Sequence, residues 1–137
     1  MNDDGSIVPF EKLIQVLPKI KEFSFTCHGA SPKLSIITTR TVNELLKFPH
    51  FFKIEEFELW DIPEQFDIKT FFNFLKKNKI TKSSLYFSRL ISEAYKILLE
   101  TIVDEIVETE NHNWLIPNIH FAGIDEDKHR KLFLLSL

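Results

Sequence analysis

The sequence has very little cysteine and glycine, and each shortage excludes a class of site. Its single cysteine, Cys27, cannot form an internal disulfide, and no zinc-type cysteine or histidine spacing is present, so a reducing compartment is expected. The three glycines, Gly5, Gly29 and Gly123, are isolated and match neither GxGxxG nor GxxxxGK. Nucleotide binding through a glycine-rich loop is therefore not expected.

Targeting and membrane signals are also missing. Residues 1–6 are polar and acidic, whereas a secretory signal begins with basic residues followed by an apolar run, and these six residues are predicted to be disordered. No run approaches the ~18 apolar residues of a membrane span. We therefore expect an intracellular protein, cytoplasmic or nuclear, without membrane contact.

The composition is that of one folded domain. The chain has 137 residues, 44% hydrophobic and 27% charged, and a domain of this size buries roughly 68% of the surface of its unfolded chain. We assign residues 7–137 to a single domain. Its 14 phenylalanines either form packed layers between helices and strands or reflect A- and T-rich codons.

Four short stretches share the alternation of a half-buried strand, with two apolar residues separated by one polar or amphipathic residue. They are residues 21–25, 55–59, 83–87 and 117–121. Their first central apolar positions are 34, 28 and 34 residues apart, which leaves room for a helix and two loops between strands. This spacing indicates an internal repeat.

One helical pattern precedes the first strand, and a second lies between the first and second strands. Phe10, Leu13, Ile14 and Leu17 form an apolar face that Pro18 ends. In the next interval Thr41 is predicted to cap a short helix that ends at Pro49, with its apolar residues at positions 42, 45 and 46.

Two further helices are predicted with side-chain caps. Asp67 precedes a helix that buries Phe71, Phe74 and Leu75. Ser92 precedes the longest helix, of about four turns or 24 Å, whose apolar residues are at 95, 98, 99, 102 and 106.

Alternating strands and helices predict an α/β fold with parallel strands. Repeats of this length favour a short leucine-rich-repeat-like solenoid of about four β-α units, a curved parallel sheet with helices on one side. The alternative is an open sheet covered on both faces. Because Glu58 and His120 interrupt the apolar strands, we favour helices on one side.

Several of these segments resemble one known family. The runs at residues 41–46, 56–68, 91–96 and 102–106 are similar to the FTH domain, which follows the F-box in many nematode F-box proteins. The resemblance extends over roughly residues 10–135. It implies a module that recruits substrates to a cullin-RING ubiquitin ligase. No F-box precedes Phe10, so the chain is expected to be the substrate-recruiting part alone or a diverged copy.

The solvent-facing strand positions of such a solenoid are its natural binding surface. The predicted partner-binding residues are Glu56, Glu58, Trp60, Tyr86 and His120. Trp and Tyr are enriched at protein-binding hot spots, so the predicted partner is a protein. The alternative for Trp60 is a core position beneath a turn at residues 61–63.

No catalytic residue, metal site or cofactor is predicted. The histidines at 28, 50, 112, 120 and 129 lack metal-binding spacing, and strand neighbours such as Cys27 and His28 point to opposite faces. The second hypothesis is an enzyme of unknown class with its site at the strand C-terminal ends, near Trp60–Asp61 and Ser88–Arg89.

Charge and the apolar C-terminal residues suggest further surfaces. The net charge of −3 argues against nucleic-acid binding, and the lysines at 76, 77 and 79 suit a helix C-terminus. The carboxylates at 104, 105, 108 and 110 form either a solvated face or a site for basic partners. The apolar residues 132–137 suggest self-association through this end of the chain.

Overall fold

The computed structural model describes residues 9–27 and 37–137, which form a mixed α/β structure. The predicted disordered segment, residues 1–6, lies outside the described residues. In chain order the elements are α1 (Phe10–Gln15), β1 (Glu22–Thr26), α2 (Thr41–Leu45), a 3-10 helix (Pro49–Lys53), β2 (Glu56–Ile62), α3 (Ile68–Lys77), β3 (Lys82–Phe87), α4 (Glu93–Glu108), β4 (Asn118–His120) and α5 (Glu126–Leu135).

The four strands form one all-parallel sheet in the order β1-β2-β3-β4, so the predicted parallel pairing is confirmed. Phe23 lies opposite Phe57, and Leu85 lies opposite both Leu59 and Ile119. The apolar positions of the four repeated stretches therefore share one face of the sheet, and this face is buried or half-buried.

A bulge at Asp61 changes the alternation at the end of β2. Leu59 lies opposite Leu85 and Ile62 lies opposite Phe87, so β2 carries one more residue than β3 in this interval. Asp61 is that additional residue and has a left-handed backbone, with φ of 55°. As a result Trp60 is exposed while Ile62 is buried. The turn at residues 61–63 that the alternative for Trp60 assumed is absent at its start, because the strand continues to Ile62.

Phenylalanine rings join the helices to the buried face of the sheet. The ring of Phe57 contacts four other rings at centroid distances of 5.4–6.3 Å. These belong to Phe10 of α1, Phe23 of β1, Phe51 of the 3-10 helix and Phe71 of α3. The rings thus pack between helices and strands, which is the structural explanation of the two considered for the phenylalanine content.

Two of the three predicted helix caps are confirmed. Asp67 Oδ1 accepts a hydrogen bond from the Thr70 amide at 3.1 Å, and Ser92 Oγ accepts from the Tyr95 amide at 3.2 Å. The cap at Thr41 was wrong, because Thr41 is the first residue of α2 and is fully buried. Its hydroxyl donates to Glu11 of α1 at 3.3 Å and accepts from the Thr38 amide at 2.9 Å.

Other helix ends also differ from expectation. Leu17 lies beyond the end of α1 and is exposed. Pro49 begins a 3-10 helix that buries Phe51, a role that suits the fixed φ of proline. The apolar C-terminal residues belong largely to α5, which was not predicted and is capped by Asp125. Within the described ranges, none of the helices is long and apolar enough to cross a membrane.

Candidate interaction surface

One face of the sheet carries the polar and aromatic side chains of the strands. We call it the open face; it consists of the even-numbered strand residues from Glu22 to Trp60 and from Lys82 to His120. Each of these residues is exposed or half-buried, whereas the odd-numbered strand residues from Phe57 onward are buried, apart from Asp61 in the bulge. All five predicted partner-binding residues lie on this face.

A stacked pair of aromatic rings, one exposed and one half-buried, lies at one end of the open face. The rings of Trp60 and Tyr86 are stacked, with centroids 3.8 Å apart and planes 9° from parallel. Trp60 is 42% exposed, so it is not the core residue that the alternative interpretation required. The bulge at Asp61 makes this possible, because it allows Trp60 to stay on the open face while the strand still ends with a buried Ile62.

Glu58 holds the indole ring of Trp60 in place. Its carboxylate oxygen Oε1 accepts a hydrogen bond from Trp60 Nε1 and a second one, at 3.5 Å, from the hydroxyl of Ser24 on β1. The stacked pair is therefore oriented by neighbours on two strands. Such an ordered pair loses less side-chain entropy on binding than two freely rotating rings would.

His120 continues this group toward α5. Its ring centroid lies 6.5 Å from that of Tyr86 and 4.9 Å from that of His129. Burial, followed by the proximity of His129, lowers the pKa of His120 below its ordinary value of 6.5. His120 therefore adds a neutral ring to the aromatic end near pH 7. His129 was not predicted here, because nothing in the sequence indicated that α5 packs against β4.

The opposite end of the open face is charged. Glu56 lies opposite both Glu22 and Lys82 in the strand register, and all three side chains are exposed. The structure thus brings Glu58, Trp60, Tyr86 and His120 into one contiguous group. Glu56 lies on the same face but outside this group, in the row of charged residues that it forms with Glu22 and Lys82.

No family model, curated protein or solved structure matches this chain. The interpretation of the surface therefore depends on its own geometry and chemistry.

The strand C-terminal edge, where the enzyme hypothesis expected a site, includes a buried thiol. Burial, and secondarily the charge of Asp61, raises the pKa of Cys27 to about 12. Its thiol is therefore protonated near neutral pH and is a weak nucleophile. The predicted neighbour His28 lies outside the described residues. Ser88 is buried and accepts a hydrogen bond from the Leu90 amide at 3.1 Å, whereas Arg89 is exposed.

Acidic side chains of α4 contact lysines on other helices. Asp104 and Glu100 both pair with Lys128 of α5, at 2.8 and 3.3 Å, and Glu105 pairs with Lys76 of α3 at 3.6 Å. Part of the acidic cluster thus joins helices to one another. Among the residues that the structure describes, no three His, Cys, Asp or Glu side chains are grouped so as to hold a metal ion.

Proposed function

We propose that the chain is a non-enzymatic protein-interaction module that binds a protein partner through the open face. The observation that carries this proposal is the stack of the exposed Trp60 on the half-buried Tyr86, held by a hydrogen bond from Trp60 to Glu58. Burying aromatic side chains against a partner is a principal source of affinity at protein interfaces. A stacked pair that reaches solvent through Trp60 and is already ordered fits that role better than a role in the core.

The fold proposed with this function is a short solenoid of about four β-α units with its helices on one side. The sequential strand order supports it, because right-handed crossovers between successive parallel strands in one direction put every connecting helix on the same face. The alternation of buried and exposed strand residues also supports it. This arrangement leaves the open face uncovered for a partner.

Charge on the open face indicates the chemistry of the partner. The carboxylates of Glu22, Glu56 and Glu58 share this face with the single ammonium group of Lys82. A partner with an apolar centre and basic side chains beside it complements such a surface. From the resemblance to the FTH domain we further propose that this partner is a ubiquitination substrate, with the chain acting inside the cell as its recruiting part.

The enzyme hypothesis ranks second. The raised pKa of Cys27 weakens the thiol as a nucleophile, and the open face is broad rather than a closed pocket of converging polar groups. No described feature favours it over partner binding.

The test compares the proteins that three tagged chains capture from native cell extract, measured by quantitative mass spectrometry. The chains are the wild type, a Trp60→Ala, Tyr86→Ala double variant, and a control variant Phe133→Ala, which removes an aromatic ring that is similarly exposed on α5. Circular dichroism and urea unfolding verify that all three are folded.

We expect a partner that the wild type and the control retain and the double variant loses. Equal capture by all three chains would contradict the proposed site. Cullin and adaptor subunits among the captured proteins would support the ligase proposal, whereas a specific partner captured without them would leave an interaction module and contradict the ligase link.

A further inference from the structure

A second exposed apolar surface lies among the helices, away from the open face. It is a groove of about 690 Å³ between the C-terminal end of α2, the 3-10 helix, α3 and the segment before β3. Its apolar lining comes from Leu46, Phe52, Phe74 and Ile80, and we call it the helix-side groove. No residue of the open face contributes to its lining.

Two large apolar side chains of this groove are exposed to solvent. Phe52 is 39% exposed and Ile80 is 54% exposed, and the ring of Phe52 lies 5.4 Å from that of Phe74. Exposed apolar side chains gathered in a concave surface are typical of binding sites, whereas single ones scattered over a surface are not.

The backbone that forms the groove wall is fixed by one side chain. Asn78 Oδ1 accepts hydrogen bonds from the amides of Ile80 and Thr81, at 2.7 and 2.9 Å. Its Nδ2 donates to the Phe52 carbonyl at 3.1 Å, which ties the segment after α3 to the 3-10 helix. The groove is therefore formed in the free chain, and a ligand need not order it.

The rim of the groove is positively charged. Lys77 and Lys79 belong to the lining, and among the residues that the structure describes no carboxylate lines the groove and none pairs with either lysine. Lys76 differs, because it pairs with Glu105 and lies over the Phe72 ring. The helix dipole accounts for a lysine in the last turn of α3 but not for Lys79 beside the exposed Ile80.

We infer that the helix-side groove binds an acidic amphipathic helix of a partner protein. Apolar side chains one turn apart would occupy the groove, and carboxylates beside them would pair with Lys77 and Lys79. The groove is open along one side, so a helix keeps its polar face in water there, whereas a fatty-acid chain would remain partly solvated. This inference does not depend on the proposed role of the open face.

The test measures fluorescence polarisation of labelled synthetic peptides with the full chain. The probe is a helix with leucines at i, i+3, i+4 and i+7 and glutamates elsewhere. One comparison peptide has the same composition in scrambled order, and another has lysine in place of glutamate. Two protein variants alter the groove: the double variant Lys77→Glu, Lys79→Glu and the single variant Ile80→Ser. The controls, Trp60→Ala and Leu134→Ser, alter exposed side chains elsewhere.

We expect the acidic helix to bind and the scrambled peptide to bind at least tenfold more weakly. The double charge reversal should weaken binding of the acidic helix at least tenfold and strengthen that of the basic helix, which an unfolded variant would not do. Ile80→Ser should also weaken binding, while both controls should match the wild type.

Other outcomes would overturn the inference. Equal binding of the acidic and scrambled peptides, absence of binding, or insensitivity to both groove variants would each contradict it. Binding of a fluorescent fatty acid, without binding of the peptide, would assign the groove to a lipid. Dimers seen by sedimentation and abolished by Ile80→Ser would assign it to a second copy of the chain.

Discussion

At the scale of single residues, the buried contact between α1 and α2 depends on one hydroxyl group. Thr41 is fully buried, and its hydroxyl donates a hydrogen bond to the carboxylate of Glu11, which is itself buried. The same oxygen accepts from the Thr38 amide. A buried carboxylate that loses its donor keeps the full cost of its desolvation.

We therefore expect Thr41→Val, which retains the shape of the side chain, to lower the free energy of unfolding by about 1–3 kcal/mol. Thr41→Ser retains the hydroxyl and serves as the matched control, with a smaller loss. Urea unfolding followed by circular dichroism measures both. Equal losses in the two variants would show that the methyl group, not the hydroxyl, matters at this position.

The histidine pair at the edge of the open face leads to a pH prediction. Because burial and His129 lower the pKa of His120 in the folded chain, the unfolded chain takes up the proton first as the pH falls below about 6.5. His120 therefore makes the chain less stable as the pH falls through that window.

NMR titration of the His120 ring should give a midpoint below 6.5 in the wild type. His129→Gln should raise this midpoint, because it removes the second cause of the shift, whereas His112→Gln should leave it unchanged. In His120→Asn, the loss of unfolding free energy on acidification should be smaller. A wild-type midpoint at or above 6.5 would contradict the prediction.

At the scale of the elements, local signals were sufficient for some features and not for others. The caps Asp67 and Ser92 bond to amides three residues ahead, so a short sequence pattern contained them. The strands were predictable from alternation and spacing. Thr41 was misassigned because its partner Glu11 is 30 residues distant, and tertiary contacts of that kind leave no local pattern.

The bulge and the last helix were missed for a similar reason. A left-handed aspartate in a strand carries no reliable local signal, yet it puts Trp60 on the open face. The helix α5 buries only Leu132 among its residues, so it lacks the apolar periodicity by which helices are recognised. Strand alternation was therefore enough to name the residues of the candidate site. The stacking of Trp60 on Tyr86 and the contact of His120 with His129 could not be predicted.

The weak attachment of α5 leads to a prediction for this element. Leu132 is its buried side chain, and Lys128 pairs with two carboxylates of α4. Leu132→Ala should release α5 and increase hydrogen exchange of the amides of Glu126–Leu135 at least tenfold, with β2 and β3 retaining their protection.

Hydrogen-exchange mass spectrometry measures this effect, with Leu134→Ala as the control because Leu134 is exposed. Equal loss of protection in α5, β2 and β3 would mean that α5 unfolds only together with the sheet.

At the scale of the whole molecule, the described core is one continuous cluster. Buried residues from α1 to α5 belong to it, and the ring of Phe57 near its centre contacts rings from four other elements. In the proposed solenoid each repeat would contact only its neighbours, so a disturbance in one repeat would reach distant ones only through the repeats between. Because all four strands share one sheet and one core cluster, we expect unfolding to be cooperative across the sheet.

The two tryptophans report on separate parts of the molecule. Trp60 lies on β2, and Trp114 precedes β4 and contacts the ring of Phe72 at 5.6 Å. A Trp114→Phe variant thus reports on β2 through Trp60, and a Trp60→Phe variant reports on the region near β4 through Trp114. We expect their fluorescence transitions in urea to coincide.

Adding Phe57→Leu to each variant should lower both transition midpoints equally, because one buried ring supports the entire core. The accompanying loss of unfolding free energy should be smaller than the value of about 3–5 kcal/mol that is typical of a buried Phe→Ala change. Phe133→Leu, at an exposed position of α5, should move neither midpoint. If Phe57→Leu lowered the Trp60 midpoint alone, the region near β4 would unfold independently, and the core would behave as separable repeats rather than as one cooperative unit.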